Sequence, residues 1–189
     1  MSEAVEPRSV DRRITHAELV HRPGERALAA RVFELLGCEV VDRGGHWFTA
    51  RVDPGSGSYV ENVLYASEVT PEQWAFERAL SAQLDGGGDL AAAAATWTAG
   101  LRERPQYSYH FGFRLATRAA LERAVRDIGD AGRSDPELAG RVSVAGVYRP
   151  EDPDAATDTM MQVFVHTDVL ACGLVTLGQH IELQWHVPR

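Results

Sequence analysis

One order of elements occurs twice in this chain: a strand, a helix and three further strands. Residues 14–21 alternate as a strand, 22–25 turn, and 26–37 place Leu28, Val32, Leu35 and Leu36 on one helical side before Gly37 stops the helix. Strands are then expected at 38–41, 46–52 and 62–66, separated by Gly44-Gly45 and by a Pro54-to-Ser58 loop. The second copy opens with a strand at 108–116 and a helix at 117–128. A Gly/Ser/Asp-rich stretch leads to strands at 141–148, 161–167 and 180–186, with the division of 168–178 open. At 189 residues the chain suits one compact domain or two fused small modules sharing a core. The fold class is therefore α+β, with two tandem βαβββ modules.

The boundaries that follow are a flexible tail at 1–13, a first module at 14–69, a helical linker at 70–106 and a second module at 107–189. The linker matches neither copy. Thr70-Pro71-Glu72 is an N-cap signature for a helix over 70–84, Asp85-Gly86-Gly87-Gly88 breaks it, and an alanine-rich helix follows from about 89 to 103.

Composition narrows the function classes. A net charge of -8 excludes a general nucleic-acid binder, because phosphate neutralisation requires a basic face. All 19 basic residues are Arg, which removes any lysine nucleophile or Schiff base from consideration. The two cysteines, Cys38 and Cys172, form no disulfide framework and no CxxC, a pattern that fits a reducing, cytoplasmic setting. No signal-like or membrane-spanning apolar run is found, so no membrane partner is expected.

Strand parity then sorts the polar side chains. Side chains alternate between faces, so Tyr109, Phe111, Phe113 and Leu115 form an apolar face under the helix, opposite His110, Gly112 and Arg114. On the last strand Ile181, Leu183 and Trp185 oppose His180, Glu182, Gln184 and His186. In the first unit Ala17 and Leu19 oppose His16 and Glu18. His16, His110 and Glu182 thus all fall on faces turned away from the helices. Two imidazoles and one carboxylate are the donor types of a metal site with open positions, suited first to Fe(II), with Mn(II), Ni(II) or Zn(II) as other occupants. Read without metal, these residues are strand-end histidines and a polar residue on a solvated edge. Trp47, Phe48, Trp74 and Trp97 are expected in core or linker packing, His21 and His46 in structural or exposed positions, and His166, His180 and His186 at the surface.

The doubled βαβββ order, Ile14-Thr15-His16, Phe33-Glu34-Leu35-Leu36-Gly37 and Gln179-His180-Ile181-Glu182-Leu183 together resemble the vicinal oxygen chelate superfamily. That group includes glyoxalase I, extradiol dioxygenases and bleomycin-resistance proteins. The resemblance covers roughly 14–68 and 107–186 and implies curved mixed sheets that enclose a cavity. It implies His16, His110 and Glu182 as metal ligands, His166 as an acid/base residue, Glu18 as a ligand-orienting residue or base, and Arg114 with Gln184 as substrate contacts. Aligning 62–65 with 180–183 puts Leu64 where a fourth ligand stands in glyoxalase-like members; Glu68 or Glu61 would take that place with a shift of register. No tyrosine stands between 160 and 181, where extradiol enzymes keep one, and Cys172 lies near that point. Three readings follow: a metal-dependent enzyme of extradiol type acting on a small oxygen-chelating substrate, a non-catalytic binder of an antibiotic-like molecule, and a glyoxalase-like lyase. A homodimer is expected from the same resemblance, and the loop 149–159 is a candidate lid.

Overall fold

A computed structural model describes residues 14–56, 59–153, 155 and 157–187; the expected tail at 1–13 lies outside them. The first module comprises β1 (His16–His21), α1 (Arg26–Leu35), β2 (Glu39–Val41), β3 (Trp47–Arg51) and β4 (Val63–Glu68). The second comprises β5 (His110–Arg114), α4 (Arg118–Ser134), β6 (Val142–Tyr148), β7 (Met160–Thr167) and β8 (Gln179–His186). Between them stand α2 (Pro71–Asp85) and α3 (Asp89–Glu103).

Each module forms one four-stranded sheet, in the order β1-β4-β3-β2 and β5-β8-β7-β6, and the two do not close into a barrel. The first strand of each runs parallel to the last, and the remaining pairs are antiparallel. Leu19, Val32, Phe33 and Phe48 fill the space between α1 and the first sheet. Leu121, Ile128, Val163 and Ile181 do the same under α4. Fully burying side chains of this size stabilises by roughly 1.5–3 kcal/mol each.

α4 continues six residues past the expected end at 128. Gly129 and Gly132 read as breakers in isolation, but α4 packs on β6 so closely that a Cβ on Gly132 would sit 2.2 Å from the Val142 carbonyl oxygen. The glycine is there for contact, not for a turn. α2 and α4 carry threonine caps: Thr70 accepts from Gln73 N–H and Thr117 from Ala120 N–H.

The modules are joined at one edge. Val20 and Ala171 exchange two backbone hydrogen bonds of 2.8 and 3.1 Å, which tie β1 to the segment between β7 and β8. Beside this bridge Asp168 takes Arg22 on one oxygen and Arg141 on the other, and Arg141 also grips Glu25 through two hydrogen bonds. Arg31 of α1 reaches Asp135 and Glu137 across the same boundary.

The linker is seated by one carboxylate. Glu77 of α2 has no exposed surface; it accepts the N–H groups of Val175 and Thr176 and the Thr176 hydroxyl. One turn earlier, Gln73 donates to the Gly173 carbonyl. The passage 168–178 that periodicity left undivided is thus a segment pinned to α2, with a short 3-10 turn at Val175–Leu177. At the far side of the module the loop after β6 is tied to α4 by Arg149 with Glu122 and Arg118 with Glu151; residues 154 and 156 of the candidate lid lie outside the described residues.

Replacing Glu77 with Ala leaves two buried N–H groups without acceptors. It is expected to lower unfolding stability by about 2–4 kcal/mol, and Glu77→Gln by less, in urea titrations followed by circular dichroism.

Candidate functional site

The parallel register of β5 and β8 sets the polar side chains in rows on the face away from α4. His110 pairs with His180, Gly112 with Glu182 and Arg114 with Gln184. On the other side of β8, Phe164 lies opposite Glu182 and His166 opposite His180. Five expected site residues, His110, His166, Glu182, Arg114 and Gln184, therefore share one sheet face.

The centre of this face is the contact between His110 Nε2 and Glu182 Oε2, at 3.4 Å, with side-chain exposures of 23% and 6%. Both groups are held from behind. His110 Nδ1 is 2.8 Å from the Ser108 carbonyl, which can only accept, so Nδ1 carries the proton of that hydrogen bond. Gln162 donates its amide to Glu182 Oε1 at 2.6 Å. The His110 ring packs edge-on against Phe164 at a centroid distance of 5.2 Å. With Nδ1 donating, Nε2 of a neutral imidazole and the carboxylate are two acceptors facing one another. A proton or a cation must lie between them for the contact to be attractive.

Gly112, opposite Glu182 in register, borders an adjoining cleft. A Cβ at residue 112 would stand 3.1 Å from Glu182 Oε2 and 3.3 Å from its Cβ. Gly112 lines a cleft of about 850 Å³ with Arg114, Arg123 and Asp127 on one side and the end of α1 on the other.

The other two expected site residues stand on the first sheet. His16 is exposed, takes Thr15 Oγ1 at 3.1 Å on Nδ1 and tilts against the Tyr65 ring. Glu18 accepts from Ser67 Oγ at 2.7 Å. Among the described residues no three His, Cys, Asp or Glu side chains gather closely enough to hold a metal ion. His110 and Glu182 thus supply two donors with supporting hydrogen bonds on each, but His16 does not complete the set. The three-ligand centre is not assembled, and no step is derived through a metal.

The fourth position also differs from expectation. Leu64 pairs with Ala17 and is buried in the core, so it faces α1. The residues on the His16 side of β4 are Val63 and Tyr65, one place to either side of the aligned position. Glu68 lies at the far end of the strand, opposite His21, where it accepts from Gly24 N–H. Glu61 is exposed ahead of β4.

Four further assignments change. His180 is only 3% exposed rather than at the surface, and its Nε2 is buried without a hydrogen-bond partner. Its ring stands 5.0 Å from that of His166. Burial first, then the neighbouring His166 and His110, pushes the His180 imidazole down to about 4; burial and Arg102 also lower His166. Trp47, Trp97 and Tyr109 are largely exposed instead of packed in core or linker. His21 takes the structural role expected of it, buried with Nδ1 2.9 Å from the Arg22 carbonyl. Neither thiol is reactive by environment: burial pushes Cys38 up to about 12 and raises Cys172.

The chain folds as two βαβββ modules of the same topology. Among solved structures it is similar to a protein described as a glyoxalase family member from Bacillus anthracis, at 11% identity over 98% of this chain and 99% of that one, with a TM-score of 0.43. It is also similar to the oxidase ChaP-H2, at 12% identity over 91% and 93% of the two chains, with a TM-score of 0.42. UcmS2 is similar at 17% identity over 92% and 97%, with a TM-score of 0.38. No family model matches the chain, and no curated protein matches it in sequence. No helix among the described residues is long and apolar enough to cross a membrane.

Two outcomes test this geometry. Gly112→Ala forces Glu182 to move and is expected to cost about 1–3 kcal/mol, seen as a lowered melting temperature, although Ala normally favours a strand over Gly. His180 binds its proton more weakly when folded (about 4) than when unfolded (6.5), so its stabilising contribution is present above pH 6.5 and is lost as pH falls toward 4. His180→Phe should flatten the acid limb of stability against pH in that window; an unchanged limb would contradict the burial.

Proposed function

We propose that the protein binds a small molecule on the inner face of its second sheet and exchanges a proton with it at the His110–Glu182 pair. The observation that carries this reading is the 3.4 Å contact between the His110 imidazole and the buried Glu182 carboxylate, each backed by a hydrogen bond. A pair that shares one proton can lend it to, or take it from, a ligand oxygen placed beside Nε2 and Oε2. Gln162 holds the carboxylate in position while this happens, and the Ser108 carbonyl keeps the imidazole tautomer fixed.

Arg114 and Gln184 lie one row along the same face, a displacement of about 7 Å from Glu182 along the strand. An exposed guanidinium at that distance suits the anionic end of a ligand whose reacting oxygen lies at the pair. The ligand class is thus a small carboxylic acid or similar oxyanion carrying a second oxygen function. His166 lies beyond His180 on this face, two rows from Gln184, and Glu18 belongs to the other sheet; neither reaches this reaction centre by register.

A second reading places a divalent metal, Fe(II) foremost, with Mn(II), Ni(II) or Zn(II) as alternatives, on His110 Nε2 and Glu182 Oε2. It is favoured by the hydrogen bond on the remote nitrogen of His110, the arrangement that orients imidazole ligands in metal sites. An extradiol-type dioxygenase or a glyoxalase-like lyase would each require a third protein donor, which His16 does not provide in this arrangement.

One set of measurements separates the readings. Chelator-treated protein is screened by thermal shift against small hydroxy- and oxo-carboxylic acids, and untreated protein is assayed for bound transition metals. A ligand that raises the melting temperature of the wild type but not of His110→Ala or Glu182→Gln, in metal-free protein, supports the proton-sharing pair. Stoichiometric metal that is lost in both variants supports the metal centre. Ligand binding indifferent to both substitutions overturns both.

A further inference from the structure

The linker helix α3 is folded without being covered. None of its 15 residues is buried, although it is rich in alanine and carries Leu90, Trp97 and Leu101. Isolated helices of about 12–15 residues are marginal in water, and the packing of an apolar face supplies most helical stability. Leu90, Ala94, Trp97 and Leu101 follow at spacings of four, three and four, so they form one uncharged stripe along the helix.

This stripe runs into the second module. Trp97 and Leu101 share a cavity of about 360 Å³ with Tyr109 and with Leu174 and Leu177 of the segment joining β7 to β8. The far wall of that cavity is anchored. Glu77 and Gln73 fix the 173–176 segment to α2, while Gln179 accepts from Cys172 N–H and donates to the Tyr109 carbonyl. Leu90, Trp97, Tyr109 and Leu174 are nevertheless 51%, 57%, 76% and 38% exposed. Stripe and cavity rim thus make one open apolar surface on a fixed base.

The order of residues along the stripe says what covers it. Reversed about the midpoint between Ala95 and Thr96, the pattern is its own complement. Leu90 falls opposite Leu101, and the small Ala94 opposite the large Trp97. Large-against-small pairing lets two helices approach to the usual interaxial distance of about 8–10 Å. The charged ends agree with this arrangement. Asp89 stands at the N-terminal end of α3, Arg102 and the capping Arg104 at the C-terminal end. Antiparallel pairing of two copies sets the acidic end of each beside the basic end of the other and opposes their dipoles; parallel pairing would set like beside like.

We propose that α3 is the centre of a homodimer interface, with a second copy packed antiparallel across a twofold axis. Leu90 of the second copy then lies over Leu101 and covers the mouth of the cavity. Leu90, Trp97, Tyr109 and Leu174 offer roughly 400 Å² of exposed apolar side chain per copy, about half of the ~800 Å² per partner in a standard interface. The exposed alanines of α3 and a polar rim supply the remainder. The inference does not depend on the function proposed for His110 and Glu182.

The test follows the mass of the full chain by light scattering after size exclusion, from about 1 to 100 µM. Wild-type protein is expected to be a dimer. Trp97→Asp and Leu90→Asp, both at exposed positions, should each weaken association at least about thirtyfold with an unchanged circular dichroism spectrum. Trp47→Asp, at a similarly exposed position on β3, should leave the dimer intact. Ala94 lies close to the twofold axis, whereas two copies of Leu90 are about 16 Å apart along the helices. Ala94→Cys should therefore cross-link the dimer on mild oxidation, and Leu90→Cys should not. A monomeric wild type, a dimer that survives Trp97→Asp and Leu90→Asp, a dimer dissociated by Trp47→Asp, or cross-linking through Leu90→Cys instead of Ala94→Cys would each overturn the proposal.

Discussion

A carboxylate with no exposed surface must be given donors, and Glu77 finds three of them in a segment nearly one hundred residues away. Two are backbone N–H groups of a segment that would otherwise have to turn in solvent. This exchange fixes where the linker lies. α2 is held to the β7–β8 connection, α3 follows α2 back toward the second sheet, and the α3 side chains Trp97 and Leu101 then form one side of a cavity. The start of β8 inherits its position from the same anchor, because Val175 and Thr176 lead directly into Gln179 and His180. Every polar group discussed on the second sheet lies in register with that strand.

The two modules share a topology but divide the chemistry unequally. In the second, the parallel pairing of β5 with β8 brings an imidazole and a carboxylate within 3.4 Å and backs each with a hydrogen bond. In the first, the equivalent face carries an exposed His16 against Tyr65 and a Glu18–Ser67 hydrogen bond. The second sheet thus carries a gathered pair and the first only dispersed polar groups. The bridge at Val20 and Ala171 and the Arg22–Asp168–Arg141–Glu25 cluster keep the copies together without bringing their inner faces onto one ion.

Much of this was readable from residue order. The βαβββ repeat, both linker helices and the face parity of β1, β5 and β8 follow from apolar period and turn residues, which act over a few neighbours. The misreadings have a common cause. Leu64 was one residue out of phase because β4 has buried residues at Val63, Leu64 and Ala66, so apolar character there does not report the face. Tyr109 continues an apolar alternation but lies one residue before β5 begins, and is exposed. The end of α4 was hidden by Gly129 and Gly132, and the role of Gly132 is set by the β6 backbone and not by its neighbours in sequence. His180 gave no sign of burial, because β8 is covered on both faces and only one cover, α4, was foreseeable.

The chain by itself determined the modules, their element types and which side chains share a strand face, since these depend on periodicities of two and 3.6 residues. Tertiary structure alone decided which of those side chains meet. Pairing register joined His110 to Glu182 and left His16 on another sheet, and the seating of Glu77 turned a linker without counterpart in either module into the wall of a cavity. Distances between residues far apart in order are set by how modules and linker pack, and no local pattern encodes them.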